Sequence, residues 1–121
     1  MHSSDLSDGG AVVFFRSEVA DGQVHLSEMV RLAERVSAKE YSAGLPYSTS
    51  HHWLCIGSSD AHVAVTCFPE GYFEIHYSTR KRQKEVIERS PDIGETERLV
   101  DALILRALLA GDIHPSNSDA A

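Results

Sequence analysis

Residues 62–79 alternate between apolar and polar side chains, and this pattern predicts a β-hairpin. The two alternating runs are separated by residues 68–72, which read FPEGY. This segment is typical of a three-residue loop, because proline supplies the φ of the first turn position and glycine accepts a left-handed conformation. We therefore expect Phe68 to lie opposite Tyr72.

This register sorts the hairpin residues into two chemically distinct faces. It pairs Thr66 with Glu74 and Ala64 with His76. The apolar face then consists of Val63, Val65, Cys67, Phe73, Ile75 and Tyr77. The other face consists of His62, Ala64, Thr66, Glu74, His76 and Ser78. A two-residue turn would place Val65 opposite His76 and mix the two faces, so the longer loop is favoured.

The remaining apolar runs predict two further strands. Residues 52–56 (HWLCI) predict a strand that joins the hairpin in an antiparallel meander with strands 62–68 and 72–78. The run 11–16 (AVVFFR) predicts another strand, at an edge of the same sheet. We interpret residues 47–50 as a loop and residues 82–89 as a short polar helix.

Two amphipathic segments predict longer helices. Apolar residues at helical spacing indicate a helix over 28–38, with Ser27 as its cap. A broader apolar stripe indicates a helix over 93–110, which Asp92 and Glu95 cap and Gly111 ends.

These elements predict an α+β fold in a single domain that spans residues 1–121, with loose ends at 1–10 and 115–121. Its antiparallel sheet has three to four strands: the meander 52–56, 62–68 and 72–78, plus strand 11–16. Helices 28–38 and 93–110 pack on one face of this sheet.

Composition restricts the classes of partner. The chain has 121 residues and a formal net charge of −7, which argues against nucleic acid and favours a cationic partner. No apolar run reaches the ~20 residues that a membrane span needs, and no signal-peptide pattern is present, so we expect a cytoplasmic protein with no membrane contact. Cys55 and Cys67 lie in predicted strands, and we expect both to be reduced.

Signals for catalysis are weak. His62, Glu74 and His76 share the polar face of the hairpin, and such a set can bind zinc or move a proton. A solvated polar face is the favoured interpretation, because antiparallel sheets commonly have one. The neighbours His51 and His52 point to opposite faces if they lie in a strand, which disfavours joint chelation. The chain has no GxGxxG, GxxxxGK[ST], CxxC, HExxH or GxSxG motif, and we expect no catalytic residue, metal or cofactor.

Charged residues provide two candidate binding surfaces. The basic cluster 80–84 (RKRQK) could hold an acidic partner or a phosphate, although such a cluster is more often merely solvated. Acidic residues around the meander, with aromatic neighbours, could instead bind a basic protein. We predict that this second surface binds the partner, through Asp60, Glu70, Tyr72, Glu74 and His76.

The arrangement FPEGYFEIHYS, a polar segment and the closing helix ETERLVDALILRALLAGD resembles the small acidic bacterial immunity proteins of toxin–immunity pairs. The resemblance covers residues 53–112 and transfers no contact residue. It implies a non-enzymatic inhibitor that binds a cognate toxin domain and occludes its active site.

Two alternatives stay open. A secretion chaperone or adaptor, or a homodimer, could associate through helix 93–110, where Leu105 and Leu109 widen the apolar stripe. A small hydrolase or lyase that uses His62, Glu74 and His76 is the third possibility.

Overall fold

The computed structural model describes residues 5–79 and 86–115. Within these residues the fold is α+β, as predicted, but the antiparallel sheet has five strands instead of three to four. The strands are β1 (Tyr47–Ser50), β2 (Trp53–Gly57), β3 (Ala61–Cys67), β4 (Phe73–Thr79) and β5 (Val86–Ser90). Their order in the sheet is their order in the chain, and each is antiparallel to the next. The helices of the described residues are α1 (Gly10–Ala20), α2 (Ser27–Ser37) and α3 (Ile93–Ala110), with 3-10 turns at Leu6–Asp8, Val24–Leu26 and Glu40–Ser42.

The predicted hairpin register is confirmed. The Phe68 N–H donates to the Tyr72 carbonyl at 2.9 Å, and the Gly71 N–H donates to the Phe68 carbonyl at 2.9 Å. Gly71 has φ +97°, the left-handed conformation that the loop required. β3 and β4 consequently pair Ala64 with His76 and Thr66 with Glu74, and the six apolar-face residues are all buried.

The prediction of a strand at 11–16 is wrong, because this segment lies inside helix α1. A short apolar run does not by itself distinguish a strand from a buried helix. Ala11, Val12 and Phe15 are buried, whereas Val13 is 64% exposed. The segment therefore buries one side of a helix and leaves the other in solvent.

The sequence analysis also missed both edge strands of the sheet. Residues 47–50, interpreted as a loop, form β1 and pair with β2. Residues 86–90 form β5 and pair with β4, which corrects the predicted helix 82–89 where the structure describes it. Both edge strands are short and contain three polar residues each, and pairing with a neighbouring strand determines their conformation more than their own propensity does.

Helices α2 and α3 agree with the predicted ranges and cover the apolar face of the sheet. Their buried side chains join those of β2, β3 and β4 in one core. The Asp92 side chain accepts the Glu95 N–H at 2.7 Å, and Gly111 ends α3 with φ +76°. Ser27 is the first residue of α2 and makes no side-chain cap.

An ionic network joins the residues that follow α2 to α3. The Lys39 ammonium lies 2.6 Å from Glu97 and 3.0 Å from Asp101, and these carboxylates raise its pKa. The Tyr41 hydroxyl donates to Asp101 at 2.6 Å. The pKa of Tyr41 is raised, mainly by burial and to a smaller extent by this hydrogen bond. The network holds the segment that follows α2 against the first half of α3.

Part of the segment predicted to be a loose N-terminus contacts the core. Leu6 is fully buried, and its N–H donates to the Leu45 carbonyl at 2.8 Å. The Asp5 carboxylate accepts the Gly44 N–H at 2.7 Å. Residues 1–4, 80–85 and 116–121, which include the basic cluster 80–84, lie outside the described residues. No helix of the described part is long and apolar enough to cross a bilayer.

The tight β2–β3 connection requires a glycine at position 57. Gly57 has φ +126°, and a Cβ there would lie 2.5 Å from the Ala61 carbonyl oxygen and 2.8 Å from a methyl group of Ile113. We expect Gly57→Ala to lower the free energy of unfolding by about 2–4 kcal/mol, because backbone strain and overpacking act together.

Gly71→Ala is the matched control. Gly71 also has positive φ, but a Cβ there would have no neighbour within 4 Å. Gly71→Ala should lower the free energy of unfolding by only about 1–2 kcal/mol. Urea denaturation measures both variants, and equal costs would contradict the close approach at Gly57.

Candidate protein-binding site on the outer sheet face

The sheet face opposite the buried apolar one is called here the outer face. Strand pairing arranges its side chains in rows that run across the sheet. One row contains Ser50, Trp53, Thr66, Glu74 and Arg89; the next contains Ser48, Cys55, Ala64, His76 and Ile87.

Six residues of the outer face form a closed circuit of contacts, which we call the Trp53 cluster. Its members are Trp53, Phe68, Tyr72, Glu74, His76 and Arg89. Two strands, β4 and β5, supply its charged groups. The β3–β4 loop supplies Phe68 and Tyr72, and β2 supplies Trp53.

The aromatic half of the cluster depends on small residues in the central strand. Trp53 of β2 and His76 of β4 lie on either side of β3, and their ring centroids are 4.7 Å apart. Between them β3 presents only Ala64 and Thr66, which are 5% and 3% exposed. Because neither side chain is large, the two rings lean over the strand and meet above it.

The aromatic contacts continue into the β3–β4 loop. The Phe68 ring packs edge-to-face on Trp53 at 6.2 Å, and the Tyr72 ring lies 5.2 Å from Phe68. The Trp53–Phe68 pair has the edge-to-face geometry that aromatic pairs prefer, whereas the Phe68 and Tyr72 rings are tilted by 38°. All three rings are half-buried, so one part of each is fixed and the other part is accessible to solvent.

The polar half of the cluster holds one carboxylate between two basic groups. Nε2 of His76 lies 2.6 Å from Oε2 of Glu74, and the Arg89 Nε–H donates to Oε1 at 2.8 Å. Arg89 also lies over the Tyr72 ring, with Cζ 5.9 Å from its centroid, which closes the circuit. Burial acts to raise the pKa of Glu74, but the hydrogen bonds from Arg89 and His76 outweigh it and lower the pKa.

The structure brings only some of the predicted binding residues together. Tyr72, Glu74 and His76 belong to the Trp53 cluster, and Glu70 is exposed on the adjoining loop. Asp60 lies in the β2–β3 connection, at the other end of the seven-residue strand β3 and about 20 Å away. The predicted surface is therefore divided between the two ends of the sheet.

Three members of the cluster were absent from the predicted binding residues. Phe68 had been placed opposite Tyr72 but was not included among them. Trp53 could have been found by extending the strand pairing, since its parity places it on the same face as Glu74. Arg89 could not, because its segment was assigned to a helix, which places no side chain opposite Glu74.

The set His62, Glu74 and His76 does not assemble. Nδ1 of His62 lies 3.0 Å from the Ser58 carbonyl oxygen, in the row that also contains Gly57 and Ser78. Across the described parts of the chain, no group of three metal-binding side chains is placed to hold an ion.

A second feature adjoins the cluster at the end of the sheet. A cavity of about 250 Å³ is lined by His25, His51 and His52 together with Trp53 and Phe68. Both His51 and His52 reach it because they form the β1–β2 loop and are not part of a strand, as the sequence interpretation had assumed. His52 lies 3.1 Å from the Glu18 carboxylate.

The β1–β2 loop also carries backbone strain. His51 has φ +57°, a conformation that costs a non-glycine residue free energy. The loop that precedes Trp53 is thus tied to α1 by the contact of His52 with Glu18 and is strained at His51.

Comparisons of this chain with protein-family models, with curated proteins and with solved structures found no match. What defines the class of the protein is its own architecture. It is an α+β domain with helices on one face of an antiparallel meander and a partly exposed aromatic cluster on the other.

The Glu74 interactions predict an acid-sensitive stability. A carboxyl group whose pKa is lowered on folding stabilises the protein at pH values above its ordinary pKa of 4.5. This contribution is lost as the pH falls below 4.5. We expect Glu74→Gln to lower the free energy of unfolding by about 1–2 kcal/mol at pH 7. The difference from the native chain should shrink between pH 4.5 and pH 2.5, as urea denaturation at each pH would show.

Glu28→Gln is the control for this measurement, because it removes an exposed ion pair with Arg31 within α2. Its effect should stay below about 1 kcal/mol at every pH. A Glu74→Gln penalty that is independent of pH would show that the carboxylate charge does not stabilise the fold.

Proposed function

We propose that this chain is a non-enzymatic, cytoplasmic protein-binding inhibitor of the immunity-protein kind, which neutralises a toxin domain by covering its active site. The observation that supports the proposal is the Trp53 cluster. It holds Trp53, Tyr72 and Arg89 together on a sheet face, and these three residue types dominate the binding energy of protein interfaces.

The cluster is pre-organised for binding. Phe68 and Tyr72 are held by each other and by the hairpin loop, and Trp53 is held by His76. Fixed rings lose little conformational entropy when a partner covers them. Their exposed parts supply apolar area, while the hydroxyl and indole N–H groups can still form hydrogen bonds.

The geometry changes the roles of the predicted contact residues. Glu74 is 9% exposed and already paired with Arg89 and His76, so its task is to position the rings. Glu70 is exposed beside Tyr72 and is placed to meet a basic side chain. Asp60, at the far end of β3, contacts only a partner that spans the whole hairpin.

The charge of the chain favours a cationic partner. The formal net charge is −7, which speeds the encounter with a positively charged surface. A toxin domain that acts on nucleic acid has a basic cleft of this kind. The proposed complex therefore places Glu70 on the basic rim and the aromatic rings of the cluster over the cleft.

We expect this chain to capture a toxin domain from its native host, and the direct test measures the affinity of that domain by calorimetry. We expect Glu70→Lys to weaken binding about 10-fold or more at low salt, since a like charge then faces the basic rim. Tyr72→Ala should weaken binding by a similar or larger factor at all salt concentrations, because it removes an anchor.

Asp60→Lys is the matched charge reversal at the opposite end of the hairpin. We expect it to change the affinity less than Glu70→Lys does. If Tyr72→Ala and Glu70→Lys both leave the affinity unchanged, the outer face is not the binding site.

Self-association through α3 is the second candidate function, and one specific observation favours it. Leu105 and Leu109 are 50% and 89% exposed, although they lie on a helix whose other side is fully packed. Leu105 also lines a groove of about 560 Å³ with Lys39, Tyr41 and Asp101. An adaptor or a homodimer could use this surface without involving the Trp53 cluster.

Light scattering separates the two candidates. If α3 mediates association, the native chain is a dimer, and Leu105→Glu converts it to a monomer, because two buried carboxylates would oppose each other. Val13→Glu, at a comparably exposed apolar position on α1, should leave the dimer intact. A native chain that stays monomeric at high concentration would exclude this alternative.

A further inference from the structure

His76 occupies an unusual position in the Trp53 cluster. Its side chain is 12% exposed, with Nε2 against the Glu74 carboxylate and the ring face against Trp53. A carboxylate and an aromatic ring both interact more strongly with an imidazolium than with a neutral imidazole. The two neighbours that hold the ring in place are therefore also sensitive to its protonation.

We propose that His76 is a proton-operated switch in the Trp53 cluster. When the imidazole is neutral, Glu74 and Arg89 compensate each other and the cluster has no net charge. Uptake of one proton by His76 adds a positive charge to the cluster and strengthens the contacts of the ring with the Glu74 carboxylate and the Trp53 ring.

The charged and titratable neighbours of His76 support this assignment. Glu74 is adjacent on β4 and is kept ionised by its hydrogen bonds. Arg89 of β5 opposes a second positive charge, but it binds the other carboxylate oxygen and so leaves Oε2 to His76. Cys55 of β2 and His62 of β3 face the same side; burial raises the pKa of Cys55, which keeps its thiol neutral.

The consequence for binding rests on the function proposed above. A cationic partner favours the neutral form of His76, so acidification should weaken the complex. The switch lies next to the aromatic anchors, and its state changes both the local charge and the fit of Trp53. Histidine is the residue type whose protonation commonly produces such changes near physiological pH.

Trp53 is the one tryptophan in the sequence, which makes the switch directly observable. An imidazolium in contact with an indole quenches its fluorescence more than a neutral imidazole does. In the free native protein, we expect Trp53 emission to fall as the pH is lowered from 8 to 5. His76→Gln keeps a hydrogen-bonding group beside Glu74 but cannot titrate, and its emission should stay constant over this range.

Two histidine variants control for other sources of quenching. His62→Gln removes the histidine on the neighbouring strand, and His52→Gln removes the one that precedes Trp53 in the chain. Both should retain the loss of emission seen in the native protein. In NMR titrations of the native chain, the His76 ring and the Trp53 indole N–H signals should move with the same midpoint, which does not depend on the folding of any variant.

A native emission that does not change with pH, or a decrease that persists in His76→Gln, would overturn the switch. Because these measurements use the free protein, they report on the switch whether or not the toxin domain binds. If the switch operates and the complex forms with equal affinity at pH 8 and pH 5, the proposed regulation of binding is wrong while the protein-binding function stands.

Discussion

The register of the β3–β4 hairpin is the constraint on which the rest of this structure depends. The loop at 68–72 fixes that register, since a left-handed glycine and a preceding proline allow one closure of the two strands. A shift by one residue would turn one strand over relative to the other and mix the apolar and polar faces. The core beneath α2 and α3, and the cluster on the outer face, are thus two consequences of one turn.

The outer face is organised by the contrast between small and large side chains. Ala64 and Thr66 leave room above β3, so that Trp53 and His76 meet across it. The loop aromatics then extend the contact surface, and Glu74 balances the charge of Arg89. A sheet face that would otherwise be a set of separate solvated residues becomes a partly buried unit with fixed rings, which is why protein binding is the best-supported proposal.

The sequence predicted those parts of the fold whose patterns are local. Alternation and turn chemistry identified the hairpin, and helical spacing with caps identified α2 and α3. The prediction for 11–16 failed because a short apolar run in a helix resembles a buried strand. The edge strands 47–50 and 86–90 were missed because they are short and largely polar, and pairing with their neighbours makes them strands. The site was half-predicted for the same reason: Tyr72, Glu74 and His76 follow from the hairpin alone, whereas Arg89 depends on a pairing that its own segment does not reveal.

The most direct test of this account is a nuclear Overhauser measurement between the side chains of Trp53 and His76. The account predicts cross-peaks between the indole and imidazole protons, because the ring centroids lie 4.7 Å apart above β3. It also predicts that Ile75 shows cross-peaks to the side chains of α3. Indole cross-peaks to Ile75, with His76 in contact with the α3 core, would show that the register is shifted and that the outer-face cluster does not exist.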